Sequence, residues 1–197
     1  IATLSHLSQL EYLDLSENTV RNLSVITNML ELQELYLNNN AVTDLGSLSG
    51  LTKLKILDVS YNSLKAIDPI RTATALTYLS FSHNEISDIQ TLTALTGLIE
   101  LNASYNTITD VAALSGCTEL EILSISNNAL SDISNLSALE KLRNLDFSYN
   151  QVNVLPQFKS NSFLVSIDGS NNQIKDLKAL SSLADLNIVL MDYNEEL

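Results

Sequence analysis

The chain has 197 residues, 45% of them hydrophobic, and its 23 Asp and Glu outnumber 10 Lys and Arg, for a formal charge of −13 at pH 7. That balance argues against nucleic acid and anionic lipid as partners and favours basic surfaces. A single cysteine excludes an internal disulfide framework, and no run of about 18 apolar residues could form a membrane span.

The first element is the phrase Leu10-x-x-Leu13-x-Leu15-x-x-Asn18. It returns every 22 residues and closes on Asn40, Asn62, Asn84, Asn106, Asn128, Asn150, Asn172 and Asn194. A fixed period of this kind is the mark of a solenoid, in which each repeat contacts only its neighbours. Leu-x-Leu is the period-two signal of a short strand with one buried face. After it comes a return limb, Val20, Leu23, Ile26 and Met29 in the first copy and Val42, Leu45, Leu48 and Leu51 in the second. Apolar spacing of three suits a 3₁₀ or short helical turn. A limb wider than a strand bends the stack into an arc with the sheet inside. The expected fold is therefore an α/β solenoid: a parallel concave β-sheet with short 3₁₀, helical or irregular convex limbs. About nine repeats should form one domain over residues 1–197, belonging to a longer protein.

Each asparagine both donates and accepts, so it can pair the main-chain groups that a sharp buried turn would strand. Asn84 and Asn106 are expected to be buried and bonded to backbone. Farther along, Cys117 occupies an apolar core position, where a buried inert thiol is expected. Near Lys159 to Phe163 the pattern slips: Asn161 takes a core position and Phe163 a polar one, which predicts a shift bringing Phe163 inward. The second buried strand position runs Leu15, Leu37, Val59, Phe81, Ala103, Ile125, Phe147, Gly169, Met191. Each Phe precedes a small residue, so Phe81 should lie over Ala103 and Phe147 over Gly169.

Side chains flanking the buried strand positions face outward from the sheet. All seven tyrosines fall in three outward columns, among them Tyr12, Tyr36, Tyr78, Tyr105 and Tyr149. Tyrosine is enriched at interfaces because it offers a large amphipathic surface at small entropic cost. His83, Ile56 and Ile122 join them, with the carboxylates Asp14, Glu34, Asp58, Glu100, Asp146 and Asp168. Only Lys55 and Arg143 oppose the acids on that face. Aromatics interleaved with carboxylates suit a protein partner that carries basic and apolar groups. These fourteen residues are the candidate partner-binding set.

Catalysis has no motif to stand on. His6 and His83 lack a nucleophile at a recognisable spacing, and five scattered glycines form no phosphate loop. The column Ser16, Ser60, Ser82, Ser104, Ser126, Ser148 and Ser170 reads as a polar lining. Asp146 and Asp168 are cross-strand neighbours, but two carboxylates on a flat face fall short of the six to eight oxygens, approximately, that calcium takes. No catalytic residue, metal or cofactor is expected.

The segments LELQELYLNNNAVTDLGSLSGLTK and LEILSISNNALSDISNLSALEK resemble the 22-residue leucine-rich repeats of bacterial internalin-like surface proteins. The recurring steps Thr43-Asp44-Leu45, Ser87-Asp88-Ile89, Thr109-Asp110-Val111 and Ser131-Asp132-Ile133 are part of the likeness, which covers essentially the whole chain. The usual proline in the return limb is approached only at Asp68-Pro69-Ile70 and Leu155-Pro156. Neither the helical cap that precedes such repeats nor the immunoglobulin-like domain that follows them is visible. The resemblance implies a non-catalytic, monomeric protein-binding module, extracellular or on a bacterial surface, that docks its partner on the concave face. A cytoplasmic regulatory subunit similar to the leucine-rich-repeat phosphatase regulator, which shares the repeat length, is the alternative.

Overall fold

The computed structural model describes residues 2–158 and 163–197. Nine three-residue strands form one parallel sheet: β1 (Tyr12–Asp14), β2 (Glu34–Tyr36), β3 (Ile56–Asp58), β4 (Tyr78–Ser80), β5 (Glu100–Asn102), β6 (Ile122–Ser124), β7 (Asn144–Asp146), β8 (Ser166–Asp168) and β9 (Ile188–Leu190). Their spatial order is their sequence order, and each residue pairs with the one 22 positions on, as in Leu57↔Leu79 and Asp146↔Asp168. The ladder continues into the turn, where Leu15 N–H donates to Tyr36 C=O at 2.9 Å and Tyr105 N–H to Ser126 C=O at 2.9 Å.

The return limbs are the short 3₁₀ segments that the spacing of three predicts, among them Gly46–Leu48, Gln90–Ala94, Ala112–Gly116, Ser134–Ala138 and Lys178–Leu180. The aspartate before each explains where it starts. Asp44, Asp88, Asp110, Asp132 and Asp176 accept the N–H of Gly46, Gln90, Ala112, Ser134 and Lys178 at 2.7–3.0 Å. Each carboxylate closes an Asx turn that releases the chain into the 3₁₀ segment. Repeat seven departs from this plan. Val154 replaces the aspartate and Pro156 stands where the capped N–H would be, so there is no donor to cap. Among the described residues this limb has no 3₁₀ segment.

Between sheet and limbs runs one continuous core of fully buried Leu, Ile, Val and Phe. Cys117 lies within it, as expected, and burial pushes its thiol up to about 11. The asparagine ladder is present, with one correction. Asn84 and Asn106 are bonded to main chain but only half-buried, whereas Asn172 and Asn194, at the same position of their repeats, are buried. Phe163 is 55% exposed, against the predicted inward shift, while Asn161 lies outside the described residues. At the last strand all three residues are exposed, Val189 at the core position included.

Candidate functional site

All fourteen candidate residues lie on the sheet's outer face or in the turn that leaves it. Tyr12 and Asp14 are on β1, Glu34 and Tyr36 on β2, Ile56 and Asp58 on β3, Tyr78 on β4, Glu100 on β5, Ile122 on β6, Asp146 on β7 and Asp168 on β8. His83, Tyr105 and Tyr149 occupy the turn. The face is polarised along the arc. The tyrosines of β1, β2 and β4 and the turn rings Tyr61, His83 and Tyr105 belong to the first five repeats, whereas β7 and β8 present Asn144, Asp146, Ser166 and Asp168.

The turn rings are held in an unexpected way. The residue before every repeat asparagine is left-handed: Glu17, Asn39, Tyr61, His83, Tyr105, Asn127, Tyr149, Asn171 and Tyr193 have φ between 52° and 56°. In that region Cβ crowds the following carbonyl, and only Gly, Asn and Asp enter it routinely. Five positions nonetheless hold a bulky ring. Tyr61 and His83 stack with centroids 4.0 Å apart and His83 and Tyr105 at 3.9 Å, each pair inclined by 13°. Sequence reasoning missed this geometry. The pairs Asn39-Asn40, Asn127-Asn128 and Asn171-Asn172 were the signal for it, since asparagine tolerates the left-handed region.

Beside the ring ladder the floor is made of serine. Ser60, Ser80, Ser82, Ser104 and Ser126 are buried beneath a groove of about 380 Å³ that also touches Asp58, Tyr61, Tyr78, His83, Asn102 and Tyr105. Several floor hydroxyls are joined. Ser126 Oγ donates to Ser104 Oγ at 3.1 Å, Ser104 and Ser124 share a bond of 2.7 Å, and Ser124 Oγ donates to Asp146 at 3.3 Å. The serine column is therefore a lining, as its spacing suggested.

The aspartates have a structural task as well. Asp58 Oδ1 accepts both Ser60 N–H (2.9 Å) and Ser60 Oγ (2.6 Å), and Asp146 does the same for Ser148 at 3.0 and 2.7 Å. Asp14 is bonded likewise to Ser16, whose hydroxyl and then backbone N–H hold its carboxyl below the usual range. Asp168 accepts Ser170 N–H at 2.9 Å. One oxygen of each thus shapes the turn out of the strand.

The field over the aromatic half is negative. Burial, and next the Asp58 and Glu100 carboxylates, raise the Tyr78 phenol above its ordinary value. Burial followed by Glu34 does so for Tyr36, which donates to Glu34 Oε2 at 3.2 Å. Tyr12 leans on Tyr36 with centroids 5.6 Å apart. Lys55 is drawn aside to Gln33 Oε1 at 2.8 Å. Among the described residues no cluster of three His, Cys, Asp or Glu is placed to hold a metal ion.

A sequence profile of leucine-rich repeats (two copies) matches residues 30–72, 74–116, 96–138 and 118–160. The crystal structure of internalin F from Listeria monocytogenes superposes with a TM-score of 0.94 at 30% identity, over 98% of this chain and 57% of that one. Internalin C2 from the same species gives 0.89 at 31% identity, over 92% and 80%. A plant peptide hormone receptor, RGFR1 in complex with RGF2, gives 0.81 at 28% identity, over 96% and 33%. No curated protein sequence matches. The chain belongs to the leucine-rich-repeat family and is an internalin-like member of it. Such solenoids are interaction modules whose curvature creates an extended concave binding surface. This chain spans 57% of the length of internalin F.

Proposed function

We propose that the chain is a non-catalytic binding module, one repeat domain of a secreted or surface-exposed bacterial protein, that docks a protein partner on its concave face as a monomer. The observation that carries this reading is the concentration of rings and carboxylates over the first five repeats, where three rings, Tyr61, His83 and Tyr105, are held at left-handed positions that asparagine would occupy at lower cost. Backbone strain of this kind gathers at functional sites. The negative field selects a partner with basic groups and disfavours nucleic acid. The internalin likeness supports a bacterial surface or secreted setting, and among the described residues no helix is long and apolar enough to cross a membrane.

The test is affinity capture with the wild type and with a variant carrying Tyr36→Ser, Ile56→Ser and Tyr78→Ser. The partner should be retained by the wild type only, and its association rate should fall with salt, because surface charge is screened within about 10 Å at 0.1 M. Equal capture by the variant would move the docking surface elsewhere.

A further inference from the structure

The groove over β3–β6 carries in its floor a serine hydroxyl that no neighbouring side chain holds. Ser82 is 5% exposed, and its Oγ makes no hydrogen bond among the described residues. The hydroxyl is not sealed off: among the described residues no buried side-chain oxygen or nitrogen lacks a partner, so this one opens into the groove. The neighbouring hydroxyls of Ser104, Ser124 and Ser126 bond to one another, and Ser82 is not tied into their chain. Asp58 is in a matching condition. Its Oδ1 is taken by Ser60, and its Oδ2 carries no bond. Around these two acceptors stand Tyr78 on one side and the stacked Tyr61, His83 and Tyr105 on the other.

We propose that this groove receives an extended segment of the partner and anchors it through one arginine side chain. The inference rests on the concave-face reading and adds the chemistry of the contact. Arginine fits because its planar guanidinium needs several acceptors in one neighbourhood and stacks on aromatic faces. Asp58 Oδ2 and Ser82 Oγ supply the acceptors, and the tyrosines supply the faces. A lysine ammonium is a compact, strongly hydrated point charge that gains less from rings. The small floor residues let a main chain lie close to the sheet. The volume of about 380 Å³ suits one side chain and its flanking backbone, being at the lower end of ligand pockets. The four strands that line it span roughly 14 Å, the reach of about four extended residues.

The test uses isotope-labelled full chain and NMR titration with acetyl-Gly-Arg-Gly-amide, its lysine and citrulline counterparts, and cellobiose as a sugar probe. The arginine peptide should perturb Asp58, Ser82 and the ring ladder and bind more tightly than the lysine peptide; citrulline should not bind. Two variants keep the fold by design. Asp58→Asn retains the turn acceptor, as Asn102 Oδ1 already does for Ser104 N–H at 3.1 Å. His83→Asn introduces the residue found at the left-handed positions Asn39 and Asn127. Asp58→Asn should weaken the arginine peptide about tenfold, the loss of one charge-assisted bond, and His83→Asn should weaken it less. Equal binding of arginine and lysine peptides, shifts spread over the whole acidic face, or an unchanged Asp58→Asn would overturn the proposal. Cellobiose binding in the groove where the arginine peptide does not would also overturn it, in favour of a sugar. Partner capture that is lost in the Tyr36, Ile56 and Tyr78 variant but normal in Asp58→Asn and His83→Asn would keep the concave-face reading and remove only the arginine anchor.

Discussion

Asn106 joins two repeats with one side chain. Its Nδ2 donates to Ala103 C=O (3.2 Å) and Ser104 C=O (3.1 Å) in its own turn and to Phe81 C=O (3.1 Å) in the turn before, while Oδ1 accepts Ile86 N–H at 3.0 Å. Alanine there would strand these groups, so Asn106→Ala should cost about 1–3 kcal/mol by urea denaturation. Asn18 is exposed and donates only within its own turn, to Leu15 and Ser16. Asn18→Ala should therefore cost under about 1 kcal/mol. Equal losses would mean that the bonds between repeats contribute nothing. Cys117 gives a pH dependence. Burial raises its thiol from 9.0 to about 11, so between these values the unfolded chain has released the proton while the folded chain keeps it. The folded state then binds more protons, and stability falls as pH rises. The contribution is full below pH 9 and is lost as pH passes about 11, with a slope of up to about 1.4 kcal/mol per pH unit. Cys117→Ala is tolerable in shape, since Ala73 is buried in the same column. Denaturation midpoints at pH 8, 9.5 and 10.5 should fall more steeply for the wild type than for Cys117→Ala; parallel curves would show that the thiol ionises alike in both states.

At the level of the element, the strand-to-limb turn repeats the same backbone with different residues. Nine left-handed positions hold three asparagines, one glutamate, one histidine and four tyrosines. Asparagine is several-fold enriched in this region, which corresponds to about 1 kcal/mol. Tyr149 has Asn127 and Asn171 as column neighbours and no ring to stack on, so Tyr149→Asn should raise stability by about 0.5–1 kcal/mol. Tyr61→Asn should gain nothing, because the relief is offset by a lost ring pair of about 0.5–1.5 kcal/mol. Calorimetry that ranks the two variants the other way would refute this account of the turn. The turn also marks the limit of what sequence conveys. The asparagine period, the Leu-x-Leu strands and the limb spacing of three were all legible, because each obeys a burial rule that every repeat must satisfy. The φ of the preceding residue was not, since tyrosine, histidine and glutamate there conceal a backbone that only the three asparagines betray. Asp58 and Asp146 were read as partner-facing charge, but one oxygen of each fastens its own turn. Phe163 is exposed instead of turned inward, and its limb carries Val154 and Pro156 where the limbs on either side carry an aspartate and a capped N–H.

Across the whole molecule, stacking makes each layer's volume a constraint on the next. This is why the fold could be read to the residue, while the partner face could be read only as a set of columns: outward side chains are free of that constraint. Gly169 shows it at work. A Cβ there would lie 2.5 Å from Phe147 Cζ, 2.9 Å from Met191 Sδ and 3.0 Å from Ile174 Cδ1. Its φ is not in the left-handed region, so glycine is required by space alone. Met191 is a flexible end that can give way, but Phe147 is fully buried and cannot. Gly169→Ala should thus destabilise by about 1–3 kcal/mol, the usual cost of overpacking. Phe147→Leu leaves a void when made alone, yet should recover part of the loss when combined with Gly169→Ala, because contacting residues couple. Each repeat touches only its neighbours, so the loosening should stay near β7–β9. Amide exchange would then quicken in those strands and remain unchanged in β1–β4. Additive stabilities in the double-mutant cycle, or faster exchange along the entire sheet, would show that layer volume is not balanced pair by pair, and that the solenoid yields as one cooperative body.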